Sequence, residues 1–262
     1  WAEDDSDWDE EDEDELEDED RTAAVSAFGE AIRLAPELLS AHESLADAYR
    51  RRNRDELAAG VYRRLLERFP DHLDALQFLF SHHMKSGEPI AARDYALRAQ
   101  RLKPANPEIV KMVWMGHVAS ARHYALEGKF DLGRAEFAAA ECIDSGDAEP
   151  FHLLARKAVF ELKAGETELG RRLAEETKGL LEDPAPAVLV LLIEATRFHL
   201  PLQLGGIMAE WELEWRRALT GKRSAKAAGR LGSLMLGFLI GGTEYPGRET
   251  HLQQVFNYVK RS

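Results

Sequence analysis

Three observations predict an all-α fold built by repeating one helix–turn–helix unit. Pro36, Pro70 and Pro104 stand 34 residues apart, in the matching contexts RLAPELLSAH, RFPDHLDAL and RLKPANPEIV. Asn53 and Gly87 are also 34 apart, each followed by a new helical pattern. Both residue types tolerate the left-handed backbone that ends a helix. No run alternates apolar and polar residues convincingly with the period of two that a half-buried strand needs. A helix stop and a proline recurring at one period define a pair of helices that stacks on its neighbours.

The elements follow in order. Residues 1–20 fit no helix pattern: fifteen are Asp or Glu and none is Lys or Arg. Dense like charge with little apolar surface reads as a tail that is disordered when free. Ala24, Phe28, Ala31 and Pro36 read as the second helix of a unit at 21–36 whose first helix is absent or diverged. The unit at 39–70 carries Leu45, Ala46 and Tyr49 on its first helix, then Ala58, Tyr62, Leu65 and Pro70. The unit at 73–104 carries Leu76, Leu79 and Phe80, then Ala92, Ala96, Ala99 and Pro104.

In the unit at 107–145, Tyr124, Gly128, Gly133, Phe137 and Ala140 restore the pattern seven residues late. Seven residues are about two helical turns, which predicts a first helix extended over about 107–127. The unit at 151–183 is marked by Leu154, Phe160, Gly165, Gly170 and Ala174 and ends near Pro184. Residues 184–262 form a diverged helical region, with helices expected at about 186–200, 202–219 and 224–240. After the break GGTEYPG (241–247), a last helix at about 249–260 presents Leu252, Val255, Phe256 and Val259 as one stripe. That stripe reads as the cap over the last exposed face of a stack.

The period, the recurring prolines and the fixed small and large apolar positions resemble the tetratricopeptide repeat (TPR) family over roughly 21–183. The resemblance implies a right-handed superhelical solenoid of TPR-like helix pairs with a diverged C-terminal helical cap. It also implies a concave groove, lined by exposed positions of each first helix, that binds a peptide or helix. Carried onto this chain, those positions are Ser40, Glu43, Asp47, Arg50 and Arg51 in the first full unit. The second unit gives Asp74, Gln77, Ser81, Met84 and Lys85, and the third, shifted unit gives Met115, Val118, Arg122 and Leu126. One subset of the family clamps the C-terminal carboxylate of heat-shock chaperones with Lys and Asn at these sites. Here Glu43 and Asp47 stand in their place and would repel a carboxylate.

The formal net charge of -13 is unevenly placed. The tail holds 15 of 47 acidic groups, leaving 32 against 34 basic groups, so the body is nearly neutral. Trp1, Trp8 and Leu16 interrupt the acid run as candidate anchors. Within RRALTGKRSAKAAGR (216–230), Arg216, Arg217, Lys222, Arg223, Lys226 and Arg230 form a basic patch with no acid among them. It lacks interleaved aromatics, and the tail would compete with phosphate, which argues against nucleic acid as the partner. The single cysteine allows no intramolecular disulfide and fits a reducing, cytoplasmic setting. AVLVLLI (187–193) and LGSLMLGFLI (231–240) are too short to span a bilayer, so no membrane insertion is expected. Beginning at Trp1 rather than Met reads as a fragment or processed chain with room for a segment upstream.

Reactive groups do not converge. His82 and His83 point about 100° apart on a helix and read as one packed and one surface side chain rather than as metal ligands. Cys142, beside Ala138, Ala139 and Ala140, reads as a buried thiol. TGKRS (220–224) lacks the upstream glycine and strand of a phosphate loop. No catalytic, cofactor or metal site is assigned and no small-molecule substrate is expected. The chain reads as a non-enzymatic interaction scaffold or adaptor whose groove takes a protein partner, with the acidic tail as a second binding or regulatory element. In the alternative, the tail is a chaperone or neutraliser of a basic, histone-like or nucleic-acid-binding client. The tail could also fold back on 216–230 or on the groove until a partner displaces it.

Overall fold

The computed structural model describes residues 23–144, 150–182 and 184–200, together with 206, 207, 210, 211 and 213. The acidic tail with Trp1, Trp8 and Leu16, the basic patch from Arg216 to Arg230, and the helices expected at 224–240 and 249–260 lie outside the described residues. Regular structure among the described residues is entirely helical, without a strand. The helices are α1 (residues 23–34), α2 (Leu39–Arg51), α3 (Asp55–Arg68), α4 (Leu73–Lys85) and α5 (Pro89–Leu102). They continue with α6 (Pro107–Leu126), α7 (Phe130–Glu141), α8 (Pro150–Ala164), α9 (Thr167–Gly179) and α10 (Ala185–Arg197).

Backbone chemistry sets the boundaries. α1, α3 and α5 each stop two residues before Pro36, Pro70 and Pro104. The residue preceding a proline is sterically pushed out of helical backbone, and Phe69 (φ -122) and Lys103 (φ -137) are non-helical accordingly. α2, α4, α6, α8 and α10 end differently, on a residue with positive φ: Asn53 (54), Gly87 (74), Gly128 (73), Gly165 (91) and His199 (50). At each, the next amide N–H donates to the carbonyl five residues back: Arg54 to Tyr49, Glu88 to His83, Lys129 to Tyr124, Glu166 to Glu161 and Leu200 to Ala195. These bonds, 2.8–3.1 Å long, are the Schellman motif that satisfies the orphan carbonyls of a helix end. The seven extra residues of the third unit are absorbed by α6, which is 20 residues long.

Nothing lies within 4 Å of where a Cβ on Gly87 would sit, so only its backbone conformation constrains the position. Gly87→Ala should therefore cost about 1–2 kcal/mol of stability through left-handed strain. Asn53→Gly should instead be neutral or mildly stabilising. Chemical denaturation of the two variants checks the pair.

The chain forms two compact units dividing within α6, between His117 and Val118. In the first, α3 packs on α2 and α4, and α4 also packs on α5. Leu45, Leu65, Leu76, Leu79 and Ile109 fill the core, with Phe28 and Ile32 of α1 half-buried over it. Each such side chain contributes roughly 1.5–3 kcal/mol when fully removed from water. Three-residue connections make α2 and α3, α3 and α4, and α4 and α5 antiparallel, except that four residues join α3 to α4. α2 and α4 consequently run the same way.

In the second unit α8 packs on α9, and α10 packs on both. Phe160 is fully buried at its centre, with the rings of Phe130, Phe137 and Phe198 meeting it edge-on at 5.9, 5.2 and 6.4 Å. Arg134 of α7 donates twice to Glu161 of α8, at 3.1 and 2.8 Å, a bidentate tie between neighbouring helices. Cys142 departs from the buried thiol expected: α7 ends at Glu141, so Cys142 leaves the helix and is exposed.

Candidate partner-binding groove

Within the first unit, a groove of about 980 Å³ opens between the parallel helices α2 and α4. α2 contributes Glu43, Asp47, Arg50 and Arg51, and α4 contributes Asp74, Gln77, Phe78, Ser81, His82 and Lys85. On each helix these residues recur at three- and four-residue steps, the spacing of a single face. Asn53, Asp55, Tyr62 and His72 complete the lining.

Most of the groove's charges are already paired. His72 caps α4: its Nδ1 accepts from the Ala75 N–H at 3.2 Å, so the ring proton sits on Nε2 and is donated to Glu43 at 2.8 Å. Arg50 reaches Asp47 at 3.0 Å, and its guanidinium lies 5.4 Å from the centre of the Phe78 ring. Burial works against the Arg50 charge, but a hydrogen bond and charge from Tyr62, with Asp47, hold its pKa above the usual arginine value. Burial raises the Tyr62 phenol, and Arg50 only partly offsets this. Tyr62 and Phe78 rings are 4.8 Å apart, giving the groove an aromatic floor. Lys85 reaches Asp55 at 3.4 Å, and His82 Nε2 reaches Glu56 at 3.2 Å.

The side chains of Arg51, Asp74, Gln77 and Ser81 remain without a hydrogen bond or ion pair to any described residue. Asp74, Gln77 and Ser81 run along α4 at steps of three and four, and Arg51 stands at the end of α2. Asp74 lies in the first turn of α4 and Glu43 in the N-terminal half of α2, whereas Arg51 and Lys85 lie at the C-termini. For Asp74, Arg51 and Lys85 the sign is the one that the helix dipole favours at that end.

Of the positions carried over from the repeat pattern, Glu43, Asp47, Arg50, Arg51, Asp74, Gln77, Ser81 and Lys85 share this groove. Met84 is half-buried and Ser40 exposed, and neither lines it. Met115 is exposed on α6 and Leu126 is exposed at its end. Val118, expected to be exposed, is only 8% exposed. Tyr62, His72, Phe78 and His82 were absent from the expected lining. Phe78 and His82 follow Asp74 by four and eight residues, which is the sequence signal that places them on its face.

His83 is the packed member of the expected packed-and-surface pair, but His82 departs from it, since both are buried. α4 is covered by α3 on one side and α5 on the other, so two directions 100° apart both meet a neighbour. His83 places Nδ1 2.5 Å from Glu88 at the start of α5, with the Tyr95 ring stacked 5.4 Å away. Its Nε2 is buried without a partner among the described residues.

A second charged cluster occupies the second unit. Glu194 of α10 is 3% exposed and accepts from Arg156 Nε of α8 at 3.1 Å and from Arg197 Nη1 at 3.0 Å. Burial alone would raise its carboxyl. The charges of Arg156 and Arg197, the Arg156 hydrogen bond and the charge of Arg122 nevertheless hold it below its ordinary value of 4.5. Burial holds the Arg122 guanidinium below the usual arginine range, with Glu194 opposing the effect and Arg197 and Arg156 adding to it.

No group of three or more His, Cys, Asp or Glu side chains among the described residues is placed to hold a metal ion. No helix among them is long and apolar enough to cross a membrane. No protein-family model and no curated protein matches the sequence.

Proposed function

We propose that the chain is a TPR-like, non-enzymatic interaction scaffold whose α2–α4 groove binds an extended segment of a partner protein. The observation that carries this reading is the row Asp74, Gln77 and Ser81, open along α4 and faced by Arg51. Paired charges fix the walls, so these four polar groups are left to meet a ligand. An amide and a hydroxyl at successive turns suit a peptide backbone, and Phe78 offers an apolar contact. The charge order favours a segment with a basic residue toward Asp74 and an acidic one toward Arg51. Five Schellman-ended helices, three of them preceded by a helix that stops just short of a proline, support the repeat reading.

Selection from a displayed random peptide library tests the groove. Enriched peptides should share a basic-to-acidic order around an apolar residue, and they should be lost when the bait carries Arg51→Ala, Gln77→Ala and Ser81→Ala together. Recovery of the same peptides on that variant would refute the reading.

A further inference from the structure

Helix α1 carries more apolar surface than the core of the first unit takes from it. Val25, Phe28 and Ile32 pack on that core. Ala24, Ala27, Ala31 and Leu34 follow one another at steps of three and four, a second apolar stripe beside the first. Ala27 is exposed, Leu34 is 69% exposed, and Ala24 and Ala31 are half-buried. The same stripe is closed elsewhere in the repeat. On α3, 34 residues later, it reads Ala58, Val61, Leu65 and Arg68, and the first three are at most 1% exposed. Ala92 and Ala99, another 34 residues on in α5, are fully buried as well. α3 has a helix on two sides, α2 and α4. No described helix buries the corresponding stripe of α1, as its exposure shows.

The acidic tail is the wrong sequence to close it. The buried positions of α2 are Ala41, His42, Leu45 and Ala46, and 34 residues before them stand Asp7, Trp8, Glu11 and Asp12. A covering helix in that register would bury three carboxylates against alanine, without partners for their charge. What the tail does bring is charge, fifteen acidic groups in residues 1–20, four residues short of Ala24. We propose that the open face of α1 docks a basic amphipathic helix of a partner protein. Its apolar stripe meets Ala24, Ala27, Ala31 and Leu34, and its basic flank meets the acidic tail. The alanines admit a close neighbour, so the partner supplies the large side chains, and the charges on the two sides are complementary. This surface shares no residue with the groove between α2 and α4 and needs no ligand there.

The test uses the full chain and three peptides of thirteen residues, the length of α2 and α4. The first has leucines at helical i, i+3, i+4 and i+7 spacing and lysines elsewhere. The second is the same composition scrambled, and the third keeps the leucines but replaces lysine by glutamate. Fluorescence anisotropy should show the first binding at least about tenfold tighter than either of the others. The double variant Ala27→Gln, Leu34→Gln should bind the first peptide no better than the scrambled one, with its melting temperature unchanged because both positions are exposed. That variant keeps the acidic tail, so its loss separates the apolar face from simple charge attraction. The groove variant Arg51→Ala, Gln77→Ala, Ser81→Ala should bind the first peptide as the parent does. Equal binding by the parent and the double variant, no binding by the parent, or equal binding of the lysine and glutamate peptides overturns the proposal. So does a concentration-dependent dimer of the parent that the double variant abolishes, which would assign the face to a second copy of the chain.

Discussion

Glu194→Gln is expected to lower the unfolding free energy by about 3–5 kcal/mol, the range for removing one partner of a buried ion pair. Glutamine is nearly isosteric, so the loss reports charge and not a cavity. Arg156 and Arg197 would then meet a neutral amide where Glu194 now offers them a carboxylate. Adding Arg122→Gln to Glu194→Gln should recover part of the loss, because one of three repelling cations disappears. The effect also has a pH signature. Glu194 titrates below its ordinary value of 4.5 in the folded chain, so its contribution is fully present above that pH. As pH falls through the folded pKa, the unfolded chain takes up a proton first and the contribution is lost. The stability gap between parent and Glu194→Gln should stay constant from pH 7 to about 5 and narrow below 4.5. Urea denaturation at several pH values measures both features.

The second large effect concerns Gly133. A Cβ there would lie 2.5 and 2.8 Å from Phe160 ring carbons and 3.1 Å from the Ala121 carbonyl oxygen. Phe160 cannot swing away, because Phe130, Phe137 and Phe198 hold its other edges. Overpacking of this kind costs about 1–3 kcal/mol. Alanine's better helix propensity returns about 0.8–1 kcal/mol, so Gly133→Ala should destabilise the chain on balance. In a Phe160→Leu background the ring is gone, and the same glycine substitution should become neutral or stabilising, with an interaction term above 0.5 kcal/mol. Gly60 in α3 has nothing within 4 Å of its Cβ position, so Gly60→Ala should stabilise through propensity alone. Opposite signs at the two glycines separate packing from propensity.

Helix boundaries were legible in the sequence where backbone chemistry sets them. Pro36, Pro70 and Pro104 mark three helix stops, and Asn53, Gly87, Gly128 and Gly165 mark four Schellman turns. The turn at His199 was not legible, because histidine carries no expectation of left-handed backbone, although it is made in the same way. The groove was legible as one face of α2 and one face of α4, whereas the positions expected on α6 do not line it. Its aromatic floor was not, since Tyr62 reads as core from its small and apolar neighbours, and Phe78 from its own apolar character. The buried state of both His82 and His83 required knowing that α3 and α5 flank α4. Least legible was the Arg122, Arg156, Glu194 and Arg197 cluster. Its members are 72 to 75 residues apart at the extremes, and no local pattern links them.

A polypeptide-binding surface in the α2–α4 groove is the central property to be tested. Fluorescence anisotropy with a labelled peptide from the library selection tests this most directly, titrated against the parent chain and against the Arg51→Ala, Gln77→Ala, Ser81→Ala variant. Three lost hydrogen-bonding groups at about 0.5–1.5 kcal/mol each predict at least a tenfold weaker Kd, with the melting temperature unchanged. Equal affinity for the two chains, with both folded, would contradict it.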